Sequence, residues 1–287
     1  MLLVLDVGNT ETELGLFPLR ADGTASPELM AHWRIATSTK HTVDEYGVLL
    51  RQLFATHGLE TSAVHGIIIA SVVPPMERML RQMSERYVGP NAGGPTGGLK
   101  ALFIEPGIKT GMPVHYDNPA EVGADRIVNA VGAYEKFKQA CIVVDFGTAT
   151  TFDAISGHGE YLGGAIAPGI GISAEALFER AARLPRVEIK RPPHVVGSNT
   201  VHSLQAGLFF GYVGLVDGVL ERMLGELGPA KVIATGGIAP FIASGSRFLP
   251  EIDETLTLTG LRIVWERNLH GRRKITALKF ETKDKSN

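Results

Sequence analysis

The sequence predicts an α/β protein built from two copies of one unit. The stretch Ala140–Asp153, ACIVVDFGTATTFD, runs from an apolar strand through Asp145 and a threonine-rich turn into a second strand. Leu2–Leu14, LLVLDVGNTETEL, follows the same order, with Asp6 in the place of Asp145. The two copies stand about half a chain apart, which indicates an internal duplication. In each half, strands then alternate with helical segments, a pattern typical of α/β proteins.

The hydrophobic pattern predicts the elements of the first half. A capping box, Thr42 with Glu45, opens the first helix. The predicted buried face of this helix carries Val48, Leu49, Gln52 and Leu53. Residues 89–98 are rich in glycine and proline, so we expect a loop, to which the sequence assigns no role. The predicted strands are Leu2–Asp6, Leu14–Phe17, Met30–Ile35, Ile67–Val73 and Ala101–Ile104, and the predicted helices are Thr42–His57 and Pro74–Tyr87.

The second half repeats this order after a helix that follows the segment DNPAEVGADR and ends near Phe137. Thr200 is the expected N-cap of a long helix, because threonine is a favoured capping residue. The predicted strands are Cys141–Asp145, Thr151–Ile155, Tyr161–Ile166 and Lys231–Thr235, and the predicted helices run from Ala167–Gly171 to about Ala182 and over Val201–Leu227. Leu258–Arg267 is expected to be a final helix or a strand followed by a helix.

The repeated turn has a chemistry that can be read from its residues. Gly8 and Gly147 let backbone N–H groups approach a ligand closely, and the neighbouring threonines and asparagine add donors, which together make a phosphate cradle. Asp6 and Asp145 would supply carboxylates for the cation that accompanies nucleotide phosphates, usually Mg²⁺. The alternative is that each turn is only a hairpin with an Asp-Gly preference. Two copies at half-chain spacing favour the phosphate site.

Composition excludes several classes of protein. Lysine and arginine number 28 against 30 acidic residues, so no basic stripe for nucleic acid is expected. Cys141 has no cysteine partner and lies in an apolar strand, which predicts a buried, inert thiol. The longest apolar run, Ile67–Val73, is too short to cross a bilayer, and no signal-type segment opens the chain. We expect a cytoplasmic protein without a membrane partner.

Gly123-Ala124-Asp125-Arg126 at a helix start is a second candidate for chemistry. The Asp–Arg pair could complement the helix dipole as a surface ion pair, or it could be a catalytic base beside an anion-binding guanidinium. The residue types alone do not distinguish the surface ion pair from the catalytic base. Gly236-Gly237 after a strand could approach a nucleoside, although a plain turn explains it equally well. No GxxxxGK[ST], HExxH or GxSxG motif is present.

Five motifs in series resemble the type III pantothenate kinase family over most of the chain. They are DVGNT at Asp6–Thr10, GADR at Gly123–Arg126, DFGTATTFD at Asp145–Asp153, GSNT at Gly197–Thr200 and TGG at Thr235–Gly237. The resemblance implies the fold of actin, sugar kinases and Hsp70-type ATPases, with two RNase H-like domains and ATP in the cleft between them. We expect the N-terminal domain at 1–117, the C-terminal domain at 118–270 and a polar tail at 271–287.

The resemblance further implies phosphorylation of pantothenate by ATP, the first step of coenzyme A synthesis, with these residue roles. Asp125 is the general base, and Asp6 lies near Mg²⁺. Asp145 binds a monovalent cation, K⁺ or NH₄⁺, and Thr148 contacts ATP phosphate. The first phosphate loop consists of Asp6, Val7, Gly8, Asn9, Thr10, Glu11, Thr12 and Glu13. The pantothenate site consists of Tyr116, Gly123, Ala124, Asp125, Arg126 and Thr200.

Members of this family are homodimers in which the partner subunit completes the substrate pocket, so a homodimer is expected. Glu11 departs from the family pattern, which has a neutral polar residue there; its carboxylate must point away from phosphate or be neutralised by the metal. Two alternatives remain open at this level: a phosphohydrolase of the exopolyphosphatase type, and a nucleotide-binding regulatory homologue without turnover.

Overall fold

The computed structural model describes residues 1–94 and 97–281, with side chains as far as residue 269. These residues form two compact units that are discontinuous in the chain. The first unit contains residues 1–112, 120–132 and the described residues from Thr257 onward, and the second contains residues 113–119 and 133–256. Residues 95 and 96 of the predicted glycine-rich loop, and residues 282–287 of the predicted tail, lie outside the described residues.

The first unit is built on a five-stranded sheet. Its elements are β1 (Leu2–Val7), β2 (Glu11–Phe17), β3 (Ala31–Ala36), α1 (Val43–Ala55), β4 (Gly66–Ser71), α2 (Pro74–Tyr87), β5 (Leu102–Phe103) and the larger part of α3 (Ala124–Phe137) and α7 (Leu256–Glu281). The strand order is β3-β2-β1-β4-β5, with β1 to β3 antiparallel and β4 and β5 parallel to β1. The central strands β1 and β4 are almost entirely buried, as their unbroken apolar runs predict.

The second unit repeats this topology. Its elements are β6 (Cys141–Phe146), β7 (Ala149–Ile155), β8 (Tyr161–Pro168), α4 (Ile170–Arg180), α5 (Thr200–Leu227), β9 (Lys231–Thr235) and α6 (Ala239–Ala243). The strand order β8-β7-β6-β9 matches β3-β2-β1-β4, with an antiparallel meander and one parallel neighbour in each sheet. The predicted duplication of an α/β unit is therefore confirmed.

The capping box of α1 is confirmed, but of the predicted face it is Leu53 that packs against the core, and the fully buried residues are others. Thr42 N–H donates to Glu45 Oε2 over 2.8 Å, and Glu45 N–H donates back to Thr42 Oγ1 over 3.3 Å. The helix buries Tyr46, Gly47, Leu50 and Phe54, while Val48 is 50% exposed. A Cβ at Gly47 would overlap the Tyr87 ring of α2. The contact with α2 therefore requires the glycine side of α1 and turns Val48 outward.

Two boundaries and one helix also differ from the prediction. β4 ends at Ser71 rather than Val73, because the Ser71 hydroxyl accepts the Val73 N–H over 3.2 Å and turns the chain into α2. The helix α6, with Pro240 in its first turn, was not predicted. α7 extends beyond the predicted Leu258–Arg267 to Glu281.

The N-cap of α5 is Asn199, so the prediction of Thr200 at that position is wrong. The Asn199 side chain accepts the His202 N–H over 2.9 Å, and Thr200 is the first residue of the helix. Among the described helices, α5 alone is long and apolar enough to cross a membrane. Its buried stripe, which includes Leu208, Val216 and Leu220, packs into the core beside β6, as expected of a core helix in a globular unit.

Candidate active site

The turn between β1 and β2 forms a compact backbone cradle. Gly8 N–H donates to the Glu11 carbonyl over 3.0 Å, and Thr37 N–H donates to the Thr10 carbonyl over 2.9 Å. A Cβ at Gly8 would lie 3.0 Å from the same Glu11 oxygen, so any side chain there would press on the turn. Asn9 lies exposed at the tip of the turn. The tip of this turn is therefore exposed to solvent, while its base is held by backbone hydrogen bonds.

The residues that flank this turn have structural partners. Val7 is fully buried, as is Thr12, whose hydroxyl lies 2.8 Å from the Thr37 hydroxyl. The Glu13 carboxylate forms an ion pair with Arg34 Nε at 2.5 Å, which offsets its charge. Within Asp6–Glu13, the residues that reach solvent are the half-buried Asp6 and the exposed residues of the turn, including Glu11.

The GADR segment lies at the same edge of the first sheet. Val72 N–H, just after β4, donates to the Val7 carbonyl at the end of β1 over 3.1 Å. A Cβ at Gly123 would lie 3.7 Å from Val72 Cγ1 and would overlap Oδ1 of Asp125. A side chain at position 123 would therefore displace the Asp125 carboxylate from its observed place at the start of α3. The structure brings Gly123–Arg126 to the end of β1 and β4, the strand ends next to Asp6.

The surroundings of Asp125 suit its carboxylate to act as a base. Its Oδ1 accepts the Arg126 N–H over 2.8 Å. Burial raises the pKa of the Asp125 carboxyl above its ordinary value, while the Arg126 N–H and guanidinium act in the opposite direction. Residue Asp125 as a whole is nevertheless only half-buried, whereas Arg126 is 7% exposed. A reachable carboxylate with a raised pKa has the properties of a general base.

The second hairpin places Asp145 at the end of β6. Asp145 is half-buried and pairs with Thr151 on β7 and with Thr235 on β9. Gly147 N–H donates to the Ala149 carbonyl over 3.0 Å, a turn one residue shorter than the turn after β1. Asp145, Thr151 and Thr235 therefore lie in register at the strand ends beside this turn.

Two glycines hold the second turn in place. A Cβ at Gly169 would lie 2.6 Å from the Gly147 carbonyl oxygen and closer still to that of Thr148, which accepts the Gly169 N–H over 3.1 Å. A Cβ at Gly236 would lie 2.5 Å from the Phe146 carbonyl oxygen, and Gly236 has a φ of 92°. The APGIG and TGG segments therefore support the turn between β6 and β7 through close backbone contacts. Sequence reasoning did not connect Gly169 to this turn, and its only signal was a glycine before a helix.

Tyr116 and Thr200 both lie on the second unit. Tyr116 is 37% exposed, and its ring stands beside that of Tyr161 at a centroid distance of 6.4 Å. Thr200 is exposed at the start of α5, where Gly197 packs against Ser203 so closely that a Cβ would overlap the Ser203 backbone. The predicted site residues thus form two groups. Asp6–Glu13 and Gly123–Arg126 belong to the first unit, and Tyr116, Asp145, Thr148 and Thr200 belong to the second.

The polar groups of the two turns fit phosphate, and they also fit a cation that takes one carboxylate ligand from the protein. Each turn combines a glycine, exposed threonine and one aspartate at the preceding strand end. Within the described residues, no three His, Cys, Asp or Glu side chains cluster as a metal site. A single carboxylate is the usual protein contribution to Mg²⁺ that is bound mainly through substrate phosphates and water. Cys141 is fully buried and its pKa is raised to about 12 by desolvation, so the predicted inert thiol is confirmed.

The repeated sheet with an Asp-x-Gly hairpin in each copy defines the fold of the actin-like ATPases and sugar kinases. One solved structure with this fold is the activator of the 2-hydroxyisocaproyl-CoA dehydratase from Clostridium difficile with bound ADPNP. It is 13% identical, with a TM-score of 0.50 over 95% of this chain and 97% of that one.

Sequence comparison identifies the family within this fold. The family model described as type III pantothenate kinase matches residues 2–222. The type III pantothenate kinase of Koribacter versatilis (strain Ellin345) is 60% identical over 96% of this chain and 98% of its own length. The type III pantothenate kinase of Myxococcus xanthus (strain DK1622) is 57% identical over 93% of this chain and 99% of its own length. This chain belongs to the type III pantothenate kinase family.

Proposed function

We propose that this chain transfers the γ-phosphoryl group of ATP to the terminal hydroxyl of pantothenate, the first step of coenzyme A biosynthesis. The observation that carries the proposal is Asp125, with its raised pKa, at the same strand ends as the Asp6–Glu13 turn. Family membership identifies the acceptor alcohol. A regulatory protein without turnover has no use for a base, and a phosphohydrolase has no use for a pantothenate site, so neither alternative is favoured.

Asp125 acts as the general base in this proposal. An alcohol is a weak nucleophile until its proton has an acceptor, and a carboxylate within hydrogen-bond reach provides one. Burial makes the Asp125 carboxylate more basic than an exposed aspartate. The Arg126 N–H holds Oδ1, which fixes the orientation of the carboxyl group. The proton of the pantothenate hydroxyl passes to Asp125 as the phosphoryl group is transferred.

Arg126 is proposed to bind the pantothenate carboxylate, because a guanidinium pairs with a carboxylate through two parallel hydrogen bonds. Gly123 and Ala124 contribute backbone at the start of α3, where the helix dipole also favours an anion. Tyr116 and Thr200 supply an exposed ring and an exposed hydroxyl toward the same substrate.

ATP is proposed to bind through its phosphates to Asp6–Glu13 and to Thr148. Asp6 would hold Mg²⁺, and Asp145 would hold K⁺ or NH₄⁺, with the Thr151 and Thr235 positions beside it. These cations would offset the negative charge of the transferring phosphoryl group. The protein groups hold the phosphates in line with the acceptor, and such positioning supplies much of the catalysis in phosphoryl transfer.

The proposed active form is a cytoplasmic homodimer whose substrate pocket is completed by the partner. Ile166, Val195 and Val196 on the second unit are 65%, 62% and 87% exposed. A groove of about 710 Å³ between α4 and α5, lined in part by Leu177 and Leu208, adds apolar surface there. Apolar surface of this kind marks interaction sites. Sedimentation at micromolar concentration should give a dimer, and a Val196→Asp variant should shift the equilibrium toward monomer.

The experiment for the activity is a coupled assay of ADP release with ATP, Mg²⁺ and K⁺. We expect ADP release to depend on added pantothenate. Equal release without pantothenate would identify a phosphohydrolase, and no release in either case would support a binding protein.

A further inference from the structure

Tyr161, the first residue of β8, holds the segment that carries Tyr116. Tyr161 N–H donates to the Pro113 carbonyl over 2.9 Å, and the Tyr161 carbonyl accepts the His115 N–H over 2.8 Å. Val114 forms a parallel bridge with Tyr161 between these two bonds. The residue next to this short ladder is Tyr116. The backbone of Tyr161 therefore fixes where the Tyr116 side chain begins.

The Tyr161 ring also supports the Tyr116 ring from within the fold. The two rings are tilted by 57° at a centroid distance of 6.4 Å, within the range of favourable aromatic pairs. Tyr161 is fully buried, whereas Tyr116 is 37% exposed. Gly163, with a φ of 115°, lies beside Tyr116, and a Cβ there would meet the Tyr116 ring at 3.6 Å. Tyr116 thus rests on a buried tyrosine and a glycine backbone.

The hydroxyl of Tyr161 connects this support to the second hairpin. It donates to Oδ1 of Asp153 over 2.7 Å, in a bond whose partners are both fully buried. Oδ2 of the same carboxylate accepts the Thr151 hydroxyl over 3.3 Å. Thr151 is the residue paired directly with Asp145. One buried carboxylate thus links the strand position opposite Asp145 to the tyrosine beneath Tyr116.

We infer that Tyr161 and Asp153 are positioning residues for the acceptor substrate: their hydrogen bond holds Tyr116 in register with the Asp145 hairpin. This inference rests on the proposed function, because it assumes that Tyr116 contacts pantothenate. Neither residue needs to touch substrate. A buried carboxylate suits this role, because leaving the buried Tyr161 hydroxyl or the buried Asp153 carboxylate without this bond is costly, which favours a single arrangement of the two side chains.

The test is Tyr161→Phe, which removes the hydroxyl and keeps the ring and backbone bonds. We expect the KM for pantothenate to rise about tenfold, equal to about 1.4 kcal/mol. The kcat and the KM for ATP should stay within about twofold of wild type, because Asp125 and the phosphate turns are unaltered. Tyr134→Phe is the matched control, since it deletes a hydroxyl of the same unit that donates to Gly157 rather than to Asp153. Its KM for pantothenate should be unchanged.

A double-mutant cycle distinguishes positioning from general loosening of the fold. In a Tyr116→Ala background, Tyr161→Phe should raise the pantothenate KM no further, because the ring that it positions is absent. If Tyr161→Phe does not fold, Asp153→Leu, which has a similar volume but no acceptor for the Tyr161 hydroxyl, takes its place with the same criteria. A lower Tm with a wild-type pantothenate KM, or an equal KM effect with and without the Tyr116 ring, would overturn the inference. If wild type shows no pantothenate-dependent ADP release, the proposed function itself fails.

Discussion

Replacing Asp125 by asparagine separates its chemical role from its role in the fold. Asparagine has the same shape as aspartate beside Gly123. It also keeps a side-chain oxygen for the Arg126 N–H, which in wild type donates to Oδ1 of Asp125 over 2.8 Å. It cannot accept the hydroxyl proton. Loss of a general base typically costs a factor of about 100 to 10,000 in turnover, or about 2.7 to 5.4 kcal/mol. We expect kcat to fall by at least about 100-fold while the KM values for ATP and pantothenate change little.

The same substitution should stabilise the protein at neutral pH. A carboxyl whose pKa is raised by folding contributes stability below its unfolded pKa, and that contribution is lost as the pH rises through the folded-state pKa. Wild type therefore loses stability as Asp125 ionises, whereas Asp125→Asn does not. The Tm of the variant should exceed that of wild type at pH 7.5, and the difference should vanish in acid below the ordinary pKa of 3.8.

Asp44→Asn is the matched control for both measurements. Asp44 is also the second residue of a helix, but hydrogen bonds from Tyr87 and Arg86 hold its pKa below its ordinary value. Its removal should lower the Tm at neutral pH and leave kcat unchanged. The assays are steady-state ADP release and thermal unfolding followed by circular dichroism. A kcat of Asp125→Asn within about threefold of wild type would remove Asp125 as the base. A Tm of Asp125→Asn below that of wild type at pH 7.5 would refute the conclusion that burial raises the pKa of Asp125.

Other variants test the remaining parts of the site. Arg126→Lys keeps the charge but loses the planar fork, so the KM for pantothenate should rise about tenfold or more with kcat nearly unchanged; an unchanged KM would exclude a bidentate contact. Replacing K⁺ by Na⁺ should lower activity if Asp145 holds the cation, and equal rates in the two salts would disprove that role. Gly169→Ala should raise the KM for ATP and destabilise the fold by about 1–3 kcal/mol, because the methyl group would overlap the Thr148 carbonyl oxygen. Gly171→Ala is its control, since a Cβ there meets nothing within 4 Å; the idea fails if both glycine variants behave alike.

The sequence was sufficient to predict the duplicated α/β fold because its signals are local. An unbroken apolar strand, an aspartate and a glycine turn recur in both halves, and each determines the structure of its own few residues. The capping box of α1 was predictable for the same reason.

The error in the predicted face of α1 arose where distant residues decide the structure. Val48 belongs to an apolar pattern on α1, yet Gly47 must face Tyr87 of α2, and that contact sets the rotation of the helix. The N-cap error has a different origin, because it is a choice between two neighbouring capping residues, and Asn199 rather than Thr200 takes the position.

The contacts that hold the site residues in place could likewise not be predicted from the sequence. Asp153 and Tyr161 are eight residues apart, and their bond joins β7 to β8, which pair with a register irregularity at Ala154 and Ile155. The raised pKa of Asp125 depends on how α3 is buried, whereas the residues themselves predicted only that a carboxylate stands beside an arginine.

The central claim is that Asp125 prepares the pantothenate hydroxyl to receive the γ-phosphoryl group of ATP. The most direct measurement follows isotopically labelled γ-phosphate from ATP into products separated by chromatography, with wild type and Asp125→Asn side by side. The account predicts label on pantothenate with wild type and almost none with the variant. Label released as inorganic phosphate by wild type, or equal labelling of pantothenate by both proteins, would contradict it.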